Sequence, residues 1–223
     1  MSTRGVFGFR VCGTDYLARS NYDSYPFGRG LRNLLSLRGY FYGDGGKPKI
    51  DWGAISAEAA CLEASKRLDA LRRRVMNLTI IPEEECLVSG EDLEALKLSG
   101  LLTQIPHRQP TWRETLLEVE GYFHPYLTGQ LNYIVLNNEF IKNSLFCEWG
   151  YVLNLDLCIF EVWRGFQRTG EPSNRYGQSS QDGYFPCKRI KWYRVYGELL
   201  EKGSLDTMLP SPEKFLEDMK EFE

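Results

Sequence analysis

Residues 4–12, RGVFGFRVC, read as a β-strand with large apolar side chains on both faces. Val6 and Phe7 are followed by Phe9 and Val11, so alternation puts apolar groups above and below the pleat. Such a strand has to be covered on both sides. Cys12-Gly13-Thr14-Asp15 supplies turn residues, and residues 16–22, YLARSNY, return as a second strand. The hairpin must be roofed, floored and flanked by elements that come later in the chain. It is therefore expected centrally in a sheet, beside a strand over 149–155, with Phe9 kept from water.

The remaining elements follow from pattern and caps. Asp23 to Gly30 is a loop, because Pro26 forbids further ladder bonding. A short helix follows around Leu31, Leu34, Leu35 and Arg38. Residues 43–48, GDGGKP, form a connection. The longest helix is expected from Ala54 to Met76, on a stripe of Ile55, Ala59, Leu62, Leu68, Leu71 and Val75. Ser89 with Asp92 caps a helix over 90–98, and Gly100 ends it. Thr111 with Glu114 has the capping-box pattern for a helix over 112–123, before Pro125. Residues 149–155 and 158–164 are strands around an Asp156-Leu157 turn, and 185–196 is a third. Between them, residues 168–183 carry no periodicity and little apolar area, and are expected as the most mobile internal segment. Pro212 opens a last helix to residue 222. Strands, then helices, then strands indicate an α+β fold in a single domain, with an antiparallel sheet and the middle helices packed on it.

Bulk properties exclude several classes. The net charge is −3 over 223 residues, so nothing draws the whole chain to nucleic acid or anionic lipid. The run Arg72-Arg73-Arg74 closes the long helix and complements its dipole as a solvated last turn; a polyanion contact is the alternative. The six cysteines have wide, irregular spacings and only His107 and His124 accompany them, which speaks against a zinc site and for reduced, mostly buried thiols. Both histidines sit beside prolines as surface or capping groups. No signal peptide opens the chain and no apolar run reaches the roughly 20 residues of a bilayer span, so a cytoplasmic protein is expected.

The N-terminal stretch resembles a group of short bacterial and phage proteins that begin Met-x-Thr-Arg and, after one hairpin, carry a motif like H-W-D-G-Y-P-x-G-x-G. The matching residues are Thr3, Arg4, Asp23, Tyr25, Pro26, Gly28 and Gly30; Ser24 replaces the Gly and Asn21-Tyr22 the His-Trp. A late stretch, Cys147 to Asp156 and Glu161 to Phe166, matches the group again. The resemblance covers roughly the first 30 residues and another 20 near position 150, and implies kinship without an activity. A more distant likeness is to N-terminal-nucleophile hydrolases, in which a Cys, Ser or Thr exposed by processing opens a strand. It implies an αββα sandwich, Ser2 or Thr3 as nucleophile with the α-amine as base, and Arg19, Asn21 and Asp23 on the return strand to hold amine and substrate.

Two functions of different classes follow. One is an amide- or ester-cleaving hydrolase acting on a small molecule, with Ser2, Thr3 and Asp23 as catalytic groups. The other is a non-catalytic protein that holds a small anionic, nucleotide-like ligand, such as a phage-derived factor that sequesters a host signal. Its binding groups would be Arg4, Arg19, Asn21 and Tyr25, with Tyr22 as a further aromatic wall and Glu148 and Trp149 as the far wall. Asp23 then contacts Arg4 or Arg19. Gly28-x-Gly30 before a helix offers N–H groups to a phosphate. No cofactor and no metal are implied, the partner is a small molecule, and neither a membrane nor nucleic acid is expected.

Overall fold

The structure is a computed structural model that describes residues 3–42, 57–82, 86–104, 106–116, 122–195 and 209–222. Ser2, residues 54–56 of the expected long helix and residues 117–121 of the expected 112–123 helix lie outside the described residues.

β1 (Gly5–Val11) and β2 (Thr14–Ser20) form the expected hairpin. Cys12 and Gly13 both take positive φ, 50° and 75°, a two-residue turn whose twist suits a hairpin. Asp156 binds this turn, accepting the N–H groups of Cys12 at 2.7 Å and Gly13 at 2.9 Å. β1 also pairs with β5 (Trp149–Asn154), which leads to β6 (Ile159–Arg164) and β7 (Lys188–Arg194) in the order β2-β1-β5-β6-β7. β1 is thus interior, as its two apolar faces demand, and Phe9 is fully buried. The hairpin as a whole is less central than expected, because β2 is the outermost strand. Its free edge is met by side chain and backbone instead. Asn137 N–H donates to Leu17 O at 2.7 Å, and Leu17 N–H donates to Asn138 Oδ1 at 3.0 Å.

The antiparallel sheet expected from the sequence is corrected to a mixed one, since β1 and β5 run parallel. Parallel neighbours need a long crossover, and the helical middle of the chain provides it. The fold is α+β.

One face of the sheet carries the helices. Phe7, Phe9, Tyr151, Phe160 and Tyr193 meet α1 (Leu31–Tyr42), α2 (Ala57–Met76), α5 (His124–Thr128) and α6 (Pro212–Met219) in one apolar core. α3 (Gly90–Leu98) and α4 (Trp112–Leu116) join its margin. Phe7 and Phe9 lie against Phe123 and Tyr126 with ring centres 5.3–6.2 Å apart. Burying each such ring contributes about 1.5–3 kcal/mol. The caps are as expected: Ser89 Oγ accepts Asp92 N–H at 3.1 Å, and Thr111 and Glu114 bond reciprocally at 3.0 and 3.2 Å. Two features are additional. β3 (Thr79–Pro82) pairs parallel with β4 (Tyr133–Leu136). Pro125 opens α5 rather than ending a helix, a first-turn position where its missing N–H costs nothing.

The second face carries no α-helix among the described residues, only the short 3-10 helix Phe140–Lys142. Val6, Leu17, Val152 and Trp163 are covered by Ile141, Cys147, Tyr176 and Cys187. The segment 168–183, expected to be mobile, is anchored here. Arg175 reaches Glu161 at 2.7 Å and Asp15 at 3.3 Å, and Tyr176 packs on Trp163 with ring centres 4.8 Å apart. Asn174 Nδ2 donates to Cys187 O at 2.9 Å. The segment's composition offers little apolar area, yet charge pairing and two aromatic rings tie it down. Cys12, Cys86, Cys147, Cys158 and Cys187 are free thiols; of these Cys147 and Cys187 are buried, Cys158 is intermediate and Cys12 and Cys86 are exposed, which corrects the expectation of mostly buried thiols. Among the described residues, no helix is long and apolar enough to cross a membrane.

Candidate functional site

The open end of the first hairpin gathers the groups singled out in the sequence. β2 leaves the ladder after Ser20, and the chain turns sharply at Asp23, whose φ is +55°. A π-helical turn over Pro26–Gly30 then leads straight into α1. The whole connection is clasped to the start of β1. Ser24 N–H donates to Thr3 O at 3.3 Å, and Arg29 N–H to Asp23 O at 2.9 Å. Tyr25 O accepts both Gly28 and Gly30 N–H at 3.1 Å, and Tyr151 Oη donates to Ser24 O at 2.9 Å.

The clasp explains the two glycines. A Cβ at Gly28 would lie 2.5 Å from Asp23 Oδ1, and one at Gly30 would lie 2.7 Å from Tyr151 Oη. Both positions require the absence of a side chain. The expectation that Gly28-x-Gly30 presents N–H groups to a phosphate is corrected: those of Gly28, Arg29 and Gly30 are bonded to Tyr25 O and Asp23 O.

Thr3 is 1 % exposed, and its Oγ1 has no hydrogen-bond partner. Ser20 and Ser24 are buried beside it and share a bond at 3.1 Å. Arg4 is exposed and bound through its backbone to Glu148: Glu148 N–H donates to Arg4 O at 2.9 Å, and Arg4 N–H to Glu148 Oε1 at 3.4 Å. Arg19 points to the loop-covered face, with its guanidinium 4.6 Å from the Phe140 ring centre. Asn21 turns elsewhere and accepts from Arg113 of α4 at 3.3 Å. Alternation does not carry Arg19, Asn21 and Asp23 onto one face, because the strand stops at Ser20. No ion pair joins Asp23 to Arg4 or Arg19. Trp149 is 2 % exposed beneath Arg164, whose guanidinium stacks 4.5 Å from its ring centre. It belongs to the core and does not wall an open site.

A cationic, aromatic patch forms at this end from residues partly missed in the sequence. Tyr25 and Phe27 stack in parallel, 5.1 Å apart with 5° between planes. Phe27 is 58 % and Tyr22 51 % exposed. Arg29 and Arg32 both lie over the Tyr122 ring, at 4.8 and 5.5 Å, and Arg32 Nη1 donates to Tyr122 Oη at 2.6 Å. Arg29 Nε donates to Tyr22 O at 2.5 Å, joining the two halves of the patch. Asp23 stands half-buried at its edge. Phe27 and Arg29 were within view as the variable positions of P-x-G-x-G. Tyr122 was not, because it is 90 residues from Arg32.

The arrangement offers a flat aromatic surface for stacking, the exposed Arg32 guanidinium for an anion and a carboxylate for hydrogen-bond donors, while Arg29 is buried. Among the described residues, no group of three or more His, Cys, Asp or Glu is placed to hold a metal. No protein-family model matches the chain, and neither a curated protein nor a solved structure matches it.

Proposed function

We propose that the protein is a cytoplasmic, non-catalytic binder of a small anionic ligand with an aromatic ring, nucleotide-like in its chemistry. The ligand is held at the open end of the first hairpin. The observation that carries the reading is the exposed Tyr25–Phe27 stack, held out from the fold by a clasp that leaves Phe27 more than half in solvent. Stacking on such a platform is worth about 1–3 kcal/mol per base. Arg32, in the first turn of α1, supports a bidentate contact to a phosphate. Asp23 keeps an energetically unfavourable positive φ, a feature that gathers at ligand clamps; its carboxylate would accept ribose hydroxyl or base N–H donors.

The hydrolase reading, with its αββα sandwich, rests on Ser2 or Thr3 as a terminal nucleophile. It has less support: the Thr3 hydroxyl is 1 % exposed and closed to a substrate, and the loop-covered face of the main sheet carries irregular segments among the described residues. The intact mass of the purified protein separates the two, since a retained Met1 ends the hydrolase.

Calorimetric titration with the four ribonucleoside 5′-monophosphates tests the binding reading. At least one should bind saturably. Phe27→Ala should weaken it about 5- to 150-fold, the equivalent of 1–3 kcal/mol, with thermal stability unchanged because the ring is largely exposed. Absence of binding by all four, or full affinity in the variant, refutes the proposal.

A further inference from the structure

The basic run at the end of α2 divides its labour. Arg72 is structural: its Nη2 donates to Leu155 O at 2.7 Å, and its Nη1 pairs with Asp69 at 3.0 Å. Arg74 turns the other way, between α1 and α5, and its Nη1 donates to Leu127 O. From the same helix Arg67 donates from Nη1 to Tyr40 O, and its Nε pairs with Glu63 at 3.1 Å. Each guanidinium is therefore anchored by a backbone carbonyl at a helix end. The two flank a cleft of about 420 Å³ between α1, α2 and α5, lined also by Ser36, Tyr40, His124 and Thr128.

The donors in this cleft are sorted by what they already bind. Ser36 Oγ donates to Arg32 O, Tyr40 Oη to Arg67 O, and Thr128 Oγ1 to His124 O. Their protons are committed to the backbone. Arg74 Nε and Nη2 make no hydrogen bond to the described residues. One carboxylate, Glu63, stands against two guanidiniums and an exposed imidazole. Arg67 and Arg74 act electrostatically on the same spot, pulling the Tyr40 hydroxyl down against the burial that raises it.

We propose that this cleft is a second binding site, for the phosphate of a phosphomonoester or diphosphate small molecule. Arg74 makes the bidentate contact, with Arg67 completing the cationic side and the exposed His124 ring beside them. The planar guanidinium fork matches phosphate oxygens, and the volume falls in the range of small-molecule pockets, about 300–1,000 Å³. Leu35 and Leu127 give an apolar wall for the organic part of such an ester. The site is independent of the aromatic patch and does not need the stacking reading to hold.

Inorganic pyrophosphate is the probe, titrated calorimetrically into the full-length protein at low ionic strength in a buffer without phosphate. Saturable binding is expected, and Arg74→Gln should raise Kd about tenfold or more. Arg74 also holds Leu127 O, so a second variant guards against loss of fold. Ser36→Glu places a carboxylate in the cleft and gives up only a bond within its own helix. It should abolish pyrophosphate binding at unchanged thermal stability. Because pyrophosphate has no ring to stack, the result does not depend on Tyr25 or Phe27. Absence of saturable binding, or full affinity in the folded Ser36→Glu protein, overturns the proposal.

Discussion

Replacing Glu161 tests how the loop-covered face of the sheet is held. Its carboxylate is 0 % exposed. It accepts from Arg175 Nη1 at 2.7 Å, Trp163 Nε1 at 3.0 Å, and Asn154 Nδ2 and Arg189 Nη1 at 3.1 Å. Glu161→Gln keeps the volume and removes the charge. Every neighbour that bonds to the carboxylate is a donor, so the new amide NH2 must face at least one of them. Hydrogen bonds to a charged group contribute about 1.5–3 kcal/mol each, and stripping one partner from a buried ion pair costs about 3–5 kcal/mol. The Arg175 and Arg189 side chains are 19 % and 39 % exposed, so water recovers part of this. The expected loss is at the lower end, about 3 kcal/mol, a large share of a typical stability of about 5–15 kcal/mol. Urea unfolding at pH 7 should show it as a lower midpoint at constant slope, and trypsin should cut faster at Arg168 and Arg175. A cost for Glu161→Gln below about 1 kcal/mol, the range of surface pairs, would refute the argument that this cluster pins the face.

Three further outcomes follow from the geometry. Gly28→Ala puts a Cβ 2.5 Å from Asp23 Oδ1 and 2.6 Å from Asp23 O, and should cost about 1–3 kcal/mol by overpacking; an unchanged melting temperature would remove the clasp as a source of stability. Asp156→Ala leaves the Cys12 and Gly13 N–H groups without their acceptor. It should cost about 1–3 kcal/mol in urea unfolding, and a neutral result would mean water replaces the carboxylate. Hydrogen bonds from Arg108 and the Thr111 amide hold Glu114 down at about 2, below its ordinary 4.5. A carboxylate depressed on folding stabilises fully above its unfolded value, so the α4 cap should weaken as pH falls from 4.5 through about 2; an NMR titration of Glu114 with its midpoint near 4.5 would contradict this.

What was legible in the sequence is what is local. The caps at Ser89 and Thr111 span three residues, and each can be seen without knowing the fold. The hairpin turn at Cys12-Gly13 is of the same kind. The parallel pairing of β1 with β5 is not, because a strand's pattern states which faces are apolar and leaves the direction of its neighbour open. The cluster on the second face was hidden for a related reason. Arg175 sits in a segment with no periodicity, and its partner Asp15 is 160 residues away. Composition alone then reads as a loose loop. Pro125 misled in a different way: its ring forbids a helix interior but suits a first turn, and only the packing of Phe123 and Tyr126 on Phe7 and Phe9 decides between them.

The stretch from Asp23 to Gly30 divides into two parts once its atoms are placed. Asp23, Ser24, Gly28 and Gly30 are explained by the clasp: backbone bonds to Thr3, Tyr25 and Tyr151, and two positions where a Cβ does not fit. They would be needed in a protein that bound nothing. Phe27 is not explained this way. It is 58 % exposed, and among the described residues its ring contact is the stack with Tyr25. An exposed phenylalanine contributes little to folding, so a rigid turn that presents one gains no stability from it. The clasp therefore fixes where the turn stands, and under the proposed binding reading the exposed ring is what a ligand meets. The same division makes the Asp23 variants informative. Asp23→Gly relieves the positive φ and keeps the backbone carbonyl that holds Arg29, so the fold should be as stable or slightly more so, by up to about 1 kcal/mol. Any ribonucleotide that binds should lose the acceptor for its hydroxyls, with affinity falling about tenfold. If stability falls instead, the carboxylate belongs to the clasp; if both stability and affinity stay unchanged, Asp23 plays no part in the site.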